Sequence, residues 1–306
     1  MNKDLIRYLL EIAFFFVLVF IVDRIGGVIL DYASSRCPGD KDYYEFKKAD
    51  EEILIFGSSR AYHNYNPIVF ADSLHVPVRN CGYEGMGIVN MYAKYKTIIE
   101  RNRPKLIIYD FFYVFDFYRE GTGDLSKYIS PLRRFSKNSS VNDVIVDIDS
   151  KDKLKMLSRL YCYNSKGISI LTNFLTQNSG DNIDGYSPVN QTMNPDDAKK
   201  NAEIYDQVDS VKLRYLETFV NDVKSKGIPI VFCLSPYYCK VDYSEYYNEI
   251  RLLCSKWDVP LLDYTHNPSL INDYKYYYDA SHLNAVGALE YSKLVVSDLK
   301  RHFNLF

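Results

Sequence analysis

Several residue patterns are missing from this sequence of 306 residues, and each absence argues against a class of protein. The six cysteines include no C-x-x-C pair, so a structural zinc site has no support. Lys and Arg total 37 against 39 Asp and Glu, and this balance provides no broad cationic surface for nucleic-acid phosphates. Gly82, Gly85 and Gly87 have the reverse of the G-x-G-x-x-G spacing that marks a dinucleotide site. We therefore expect no metal, no cofactor and no nucleic-acid partner.

Tyrosine, by contrast, is abundant, with 29 residues that often occur in clusters such as 276–278. A phenol ring has an apolar face and a polar tip, which suits a groove for sugars and equally suits half-buried core positions. The cysteines are similarly open to two interpretations. Cys81 and Cys233 lie in apolar, strand-like runs and are predicted to be small buried hydrophobes, although an address outside the cytoplasm would permit disulfides.

The first thirty residues differ from the rest because the stretch from Leu5 to Leu30 is almost entirely apolar. We expect residues 1–34 to form a transmembrane helix that crosses the cytoplasmic membrane once. Lys3 and Arg7 precede the apolar centre, which predicts a cytoplasmic N-terminus and a remainder in the periplasm or outside the cell. No small-x-small cleavage site follows directly, which favours a retained anchor over a cleaved signal peptide. The alternative is a buried or interfacial helix.

The remainder of the chain is predicted to be a polar tether at residues 35–50 followed by a folded domain at residues 51–306. Short apolar runs that resemble buried parallel strands alternate in this domain with helix-like stretches. The strand-like runs are Glu52–Gly57, Val76–Asn80, Lys105–Asp110, Pro229–Leu234 and Val259–Asp263. This alternation predicts an α/β fold with a mainly parallel sheet, helices on both faces, and a site at the carboxyl ends of the strands.

Residues 120–205 interrupt the alternation, because they are rich in Ser, Asn, Asp and Lys and contain only short apolar segments. We interpret them as an insertion. Two roles remain open: the insertion either caps the active site and selects the substrate, or it is solvated surface decoration.

Ser59 is the candidate nucleophile, because Phe56-Gly57-Ser58-Ser59 places its hydroxyl where a strand ends and a turn begins. The alternative is a turn with a helix cap. A serine needs a base, and His282 stands out among five histidines because Asp279 precedes it by three residues. A carboxylate at that spacing can hold the imidazole tautomer and stabilise the imidazolium. Taken without Ser59, the two residues are equally well explained as an ordinary surface pair.

The Gly-x-Ser after the first strand and the Asp-x-x-His before the last helix together resemble the SGNH, or GDSL-like, hydrolases. The resemblance is to their membrane-anchored envelope branch, whose members O-acetylate exopolysaccharides or aid D-alanylation of teichoic acids. It covers roughly residues 50–119 and 201–306. It implies a flavodoxin-like three-layer α/β/α fold and a serine esterase or O-acyltransferase. The substrate class it implies is an ester-linked acyl group, especially acetyl, on a cell-envelope glycan or a small acyl ester, with a membrane-bound acyl-transfer partner as a further expectation.

The resemblance also implies an oxyanion hole formed by the N–H groups of Ser59 and Gly85. Gly85 alone would be explained by a turn that needs a positive φ. The third block of the family usually supplies an Asn, and here Tyr113 stands near its place, either as a phenol donor or as a core aromatic. Arg60 either binds an anionic substrate or forms a structural salt bridge. Because the Asn is missing, a non-enzymatic envelope module that binds glycan or a membrane partner remains the rival interpretation.

Overall fold

The computed structural model of the chain describes residues 3–164, 166–178, 183–197, 205, 207–238, 244–271 and 273–302. Parts of the predicted insertion, and Cys239, lie outside the described residues. The chain divides into two compact units, which we call the helical unit (Met1–Tyr43 and Ile129–Gly180) and the sheet unit (Tyr44–Tyr128 and Asp181–Phe306).

The strands are β1 Ile53–Gly57, β2 Val78–Asn80, β3 Leu106–Asp110, β4 Ile230–Leu234 and β5 Leu261–Asp263. The α-helices are α1 Lys3–Arg36, α2 Lys41–Lys47, α3 Ser59–Asn64, α4 Pro67–Leu74, α5 Ile88–Ile99, α6 Tyr113–Asp116, α7 Ser126–Ile129, α8 Ser139–Ile148, α9 Asp152–Lys155, α10 Arg159–Cys162, α11 Gly167–Thr176, α12 Ser210–Ser225, α13 Ser244–Trp257, α14 Pro268–Ile271 and α15 Ala285–His302. Short 3₁₀ helices cover Ser130–Phe135, Pro195–Asp197 and Tyr274–Tyr276.

The five strands form one parallel sheet in the order β2-β1-β3-β4-β5, so all of them end at the same edge. Each strand lies within the apolar run that predicted it, and β1, β3 and β4 are buried along their whole length. A continuous apolar run is what a strand covered on both faces requires, because both sets of alternating side chains meet a helix. The predicted parallel α/β sheet is therefore confirmed.

Alternate side chains of β1 contact helices on opposite faces of this sheet. Ile55 belongs to a core cluster with Phe70 of α4 and Tyr291 of α15. Phe56, the next residue, contacts the rings of Tyr95 in α5 and Phe219 in α12. This alternation gives three layers, helix, sheet and helix, as predicted. The strand order is also that of flavodoxin-like folds, in which ligands bind beyond the carboxyl ends of the strands where the order reverses, between β1 and β3.

The helical unit contains α1 and helices from the predicted insertion. By length and composition α1 is able to cross a membrane, with a mean hydropathy of 2.5 over its most apolar window and none of that window buried. The last third of α1 packs against α10 and α11 through a small core of Leu30, Ala33, Cys162, Tyr163 and Ile170. Residues 35–50, predicted to form a tether, contain the end of α1 and the helix α2.

Candidate active site

A tight turn after β1 places Ser59 at the carboxyl edge of the sheet. Gly57 has φ +145°, and a Cβ at this position would lie 2.6 Å from the carbonyl oxygen of Asp110 on β3. Ser58 is the N-cap of α3, and its hydroxyl accepts a hydrogen bond from the Arg60 N–H. Ser59 is thus the first residue of a helix, where backbone N–H groups have no intrahelical partner. Glycine is required here because any side chain would separate β1 from β3.

The three predicted catalytic side chains meet at this edge. The Ser59 Oγ lies 2.7 Å from the His282 Nε2. The His282 Nδ1 lies 2.9 and 3.0 Å from the two carboxylate oxygens of Asp279. Because a carboxylate only accepts, Nδ1 carries the proton, and Nε2 is left to accept the proton of the Ser59 hydroxyl.

Asp279 is held by its own loop as well as by His282. Its Oδ1 accepts the backbone N–H groups of Ser281 and His282 at 2.7 and 2.9 Å. Burial raises the pKa of Asp279, but the hydrogen bond and charge of His282 and the two N–H groups outweigh burial and leave the pKa lowered. A lowered pKa keeps the carboxylate ionised at neutral pH, and its stabilising contribution is lost only as the pH falls through that lowered value.

Asn64, which the sequence did not single out, connects α3 to the loop of His282. Its Oδ1 accepts the backbone N–H of Leu283 at 2.9 Å, and both residues are buried. Asn64 and Leu283 are 219 positions apart in the chain, so no local pattern marks the contact. The bond fixes the residue after the histidine to the helix that begins with the serine.

The turn that contains Gly85 is also attached to α3. The Asn80 side chain donates to the carbonyls of Ala61 and Tyr65, at 2.7 and 2.9 Å, and accepts the Gly82 N–H at 3.0 Å. Gly85 itself has φ +66°, and a Cβ there would meet no atom within 4 Å. Glycine is therefore needed for its backbone angle and not for close packing, which fits the turn interpretation.

A second histidine adjoins the site and bridges two loops. His63 lies one turn after Ser59 on α3, and its ring centroid is 5.7 Å from that of His282. Its Nε2 is 2.9 Å from the Glu84 Oε1, next to Gly85, and its Nδ1 is 2.8 Å from the Ser187 carbonyl oxygen. The sequence contained His63 among five histidines, but nothing near it in the chain indicated these contacts.

Tyr113 lies in an aromatic cluster and not on an open face. It is 4% exposed and stacks on Tyr246 with ring centroids 4.7 Å apart. The rings of Tyr118 and Tyr247 pack against it edge to face. This environment matches the core-aromatic alternative.

Arg60 points away from Ser59 into the interior of the sheet unit and has no exposed surface. Its guanidinium donates to the Tyr247 hydroxyl at 3.2 Å and to the carbonyls of Ser235 and Pro236. The Asp110 carboxylate lies 3.9 Å from its Nε. These contacts match the salt-bridge alternative and keep the side chain from a substrate at the surface.

Asp110 completes this buried network under the site. Its Oδ2 accepts the hydroxyls of Tyr65, at 2.6 Å, and of Ser235. Burial raises the pKa of Asp110, and Arg60 and the two hydroxyls oppose that shift without cancelling it. Asp110 ends an apolar run in the sequence, but nothing near it in the chain predicted this network.

The described residues contain no group of three or more His, Cys, Asp or Glu side chains that could hold a metal ion. Five cysteines, Cys37, Cys81, Cys162, Cys233 and Cys254, are buried. The hydrogen-bonded arrangement of Ser59, His282 and Asp279 is chemically able to support acyl transfer through a serine.

Comparison with known proteins gives only distant likenesses. No family model and no curated protein matches the chain. Among solved structures, a protein from Desulfitobacterium hafniense provisionally assigned to the G-D-S-L family of lipolytic proteins is 11% identical with a TM-score of 0.39, over 80% of this chain and 98% of its own. A protein from Streptococcus pneumonia provisionally described as a platelet activating factor is 12% identical with a TM-score of 0.42, over 94% and 99% of the two chains. An acetyl xylan esterase is 11% identical with a TM-score of 0.38, over 82% and 99%. At such identities and scores the chemistry must be argued from the geometry of this chain.

Proposed function

We propose that this protein is a membrane-anchored serine esterase or O-acyltransferase that works through an acyl-Ser59 intermediate. The observation that carries the proposal is the continuous hydrogen-bond chain from Ser59 through His282 to Asp279. Serine and histidine side chains 223 positions apart meet within hydrogen-bond distance at the edge where this fold class places its sites. A module that only binds a ligand has no chemical need for that chain.

The first half-reaction forms the acyl-enzyme. His282 Nε2 takes the Ser59 hydroxyl proton as Oγ bonds to the ester carbonyl carbon, and the carbonyl electron pair moves onto its oxygen. The Ser59 N–H at the start of α3 and the Gly85 N–H donate to this oxyanion. When the carbonyl re-forms, the ester C–O bond breaks and the leaving alcohol takes the proton from Nε2. Asp279 stabilises the imidazolium throughout.

The second half-reaction releases the acyl group. An acceptor hydroxyl loses its proton to Nε2 and attacks the acyl carbon, and Ser59 then recovers its proton from Nε2 as it leaves. Water as acceptor makes the protein an esterase, and a sugar hydroxyl makes it an O-acyltransferase.

The cellular setting that we propose rests on α1. A single span with Lys3 and Arg7 at its start would leave the N-terminus in the cytoplasm and the sheet unit in the periplasm or outside the cell. Acylated glycans of the cell envelope, with acetyl as the group transferred or removed, are the substrates within reach of that position. A membrane-bound partner that supplies the acyl group fits the transferase alternative.

The test compares full-length protein in detergent with Ser59→Ala, His282→Ala and the control Ser169→Ala, whose serine is exposed on α11. We expect the wild type and the control to hydrolyse a small activated acetate ester, and the two site variants to lose about 10⁴-fold or more in turnover. Equal turnover by Ser59→Ala and wild type would contradict the acyl-serine mechanism.

The rival is a catalytically weak or inactive envelope module that binds glycan or a membrane partner. The burial of Tyr113 favours it, because loss of one oxyanion donor costs about 100- to 1000-fold in rate. A serine-directed fluorophosphonate separates the two, since an enzyme is labelled at Ser59 and a binding module is not. If the wild type is not labelled, and no turnover occurs even when a membrane fraction supplies acyl donors, the result would favour the binding module over the enzyme.

A further inference from the structure

The exposed apolar surface of α1 is longer than a membrane span requires. Large apolar side chains are exposed from Leu5 to Tyr32. At about 1.5 Å per residue such a stretch is about 40 Å long, whereas a bilayer core of about 30 Å takes about 20 residues. The last third of α1 therefore carries exposed apolar side chains, including Val28 and Ile29, beyond the length that one span accounts for.

Helices α10 and α11, which pack on this part of α1, and the segment with the short helix α9 before them also expose apolar side chains. We call Leu154, Leu157, Leu160, Ile168 and Leu175 of the helical unit the apolar patch. Ile168, Leu175 and Leu154 are 85%, 77% and 74% exposed, the highest values among the large hydrophobic residues that the structure describes. Isolated exposed leucines are ordinary, but several of them beside an apolar helix mark a surface that a partner or a membrane covers.

Two residues of the apolar patch adjoin α1. Leu160 and Ile168 line a groove of about 370 Å³ together with Leu30 of α1. A Cβ on Gly26 of α1 would lie 2.6 Å from Leu160, so glycine permits this close approach. Ile168 and Leu175 are seven residues apart on α11 and therefore lie on the same side of that helix.

Polar contacts also join α1 to the start of α10. They involve Asp23 and Arg24, the first charged residues after the apolar centre of α1. The Asp23 carboxylate accepts the backbone N–H groups of Arg159 and Leu160 at 2.9 and 3.0 Å, and so caps the start of α10. Arg24 donates to the carbonyl of Leu157. The first charged residues after the apolar run of α1 thus form hydrogen bonds with the segment that carries the apolar patch, which is how charges are tolerated next to a hydrocarbon phase.

We propose that the apolar patch lies in the interfacial zone of the phospholipid bilayer that α1 enters, so that α9 to α11 rest on the membrane. The inference rests on the anchoring role of α1 in the proposed function. Lys151 and Lys153 are exposed on either side of the buried Asp152, beside Leu154, where they would meet lipid phosphates. The groove beside Leu30 would receive part of an acyl chain, since most of its lining is apolar.

The test uses the single tryptophan of the chain. Full-length protein carrying Trp257→Phe receives one new tryptophan at a time: Leu154→Trp or Ile168→Trp as probes, Phe14→Trp as the anchor control, and Leu252→Trp, 65% exposed on α13, as the matched control. Each variant is reconstituted in vesicles of phosphatidylcholine and phosphatidylglycerol with or without acyl-chain bromine. Thermal midpoints equal to that of the Trp257→Phe parent confirm folding.

We expect bromolipid to quench the two probes by about half, as for a side chain 5–10 Å into the headgroup boundary. Phe14→Trp should be quenched at least as strongly and Leu252→Trp hardly at all. Probes quenched no more than Leu252→Trp, while Phe14→Trp is quenched, would overturn this inference alone. Loss of quenching at Phe14→Trp as well would overturn the anchor. Probes that shift to the blue without quenching, with cross-linked dimers, would assign the patch to a second copy and overturn the proposal.

Discussion

The two compact units of the chain treat apolar side chains in opposite ways. In the sheet unit, β1, β3 and β4 are buried at every position, and both faces of the sheet are covered by helices. In the helical unit, α1 exposes most of its apolar side chains, and Leu154, Leu160, Ile168 and Leu175 of α9 to α11 are exposed as well. Hydrophobic runs of similar composition therefore serve two purposes. Five-residue runs that alternate with helices form a core, and a helix of the length and composition of α1 is able to cross a membrane.

The sheet unit also buries charged groups, and the largest expected effect tests one such pair. Arg60→Met leaves Asp110 buried without its cation, and removal of one partner from a buried pair costs about 3–5 kcal/mol in free energy of unfolding. Urea unfolding, monitored by the fluorescence of Trp257, measures the change in free energy of unfolding. Trp257 packs on Phe232 of β4 and therefore reports on the sheet unit.

Exposed Arg119→Met is the matched control and should change that free energy by less than about 0.5 kcal/mol. Arg60→Met combined with Asp110→Leu should recover much of the loss, since no uncompensated charge remains. Equal stability of Arg60→Met and wild type would contradict the buried ion pair.

A second substitution tests the helical unit without touching the first. Gly27 of α1 lies against the side chain of Arg159 on α10, and a Cβ there would collide with it. Gly27→Val should therefore loosen α10 from α1 at a cost of about 1–3 kcal/mol, typical of overpacking. Faster proteolysis within residues 151–178 would report it, while ester turnover at Ser59 should stay unchanged. Equal rates of proteolysis for the variant and the wild type would contradict the close packing of α10 on α1.

The smallest expected effect concerns the link between α3 and the histidine loop. Asn64→Leu removes the acceptor for the Leu283 N–H and should lower kcat about 10-fold with KM little changed, because His282 is less well placed. Asn66→Ala is the matched control, since it removes a helix cap from α4 and costs about 1 kcal/mol in stability. If both variants lose kcat equally, Asn64 is structural and not a positioning residue.

The sequence was sufficient to predict the sheet and the proximity of Ser59, His282 and Asp279. It was not sufficient to predict most of the contacts that hold these three residues in place. Buried strands are recognisable in a sequence as short apolar runs. The sequence has only five histidines, so few candidates for the base had to be compared. The environment of Arg60 depends on Ser235, which follows β4, and on Tyr247 of α13. Such contacts between distant segments leave no period or spacing in the chain. Likewise, the exposed leucines of the insertion were not distinguishable from a small core until the packing on α1 was known.

The spacing of Asp279 and His282 has a mechanical consequence. The acid and the base share one loop, and the carboxylate also binds the backbone N–H groups of that loop. Any displacement of the loop therefore moves both groups together and preserves their mutual geometry. Two distances align the three side chains. The distance between Asp279 and His282 is set within one short loop, so the tertiary structure has to set only the distance between the Ser59 Oγ and the His282 Nε2. The alignment of the three side chains thus depends on how rigidly this loop is held against the first turn of α3.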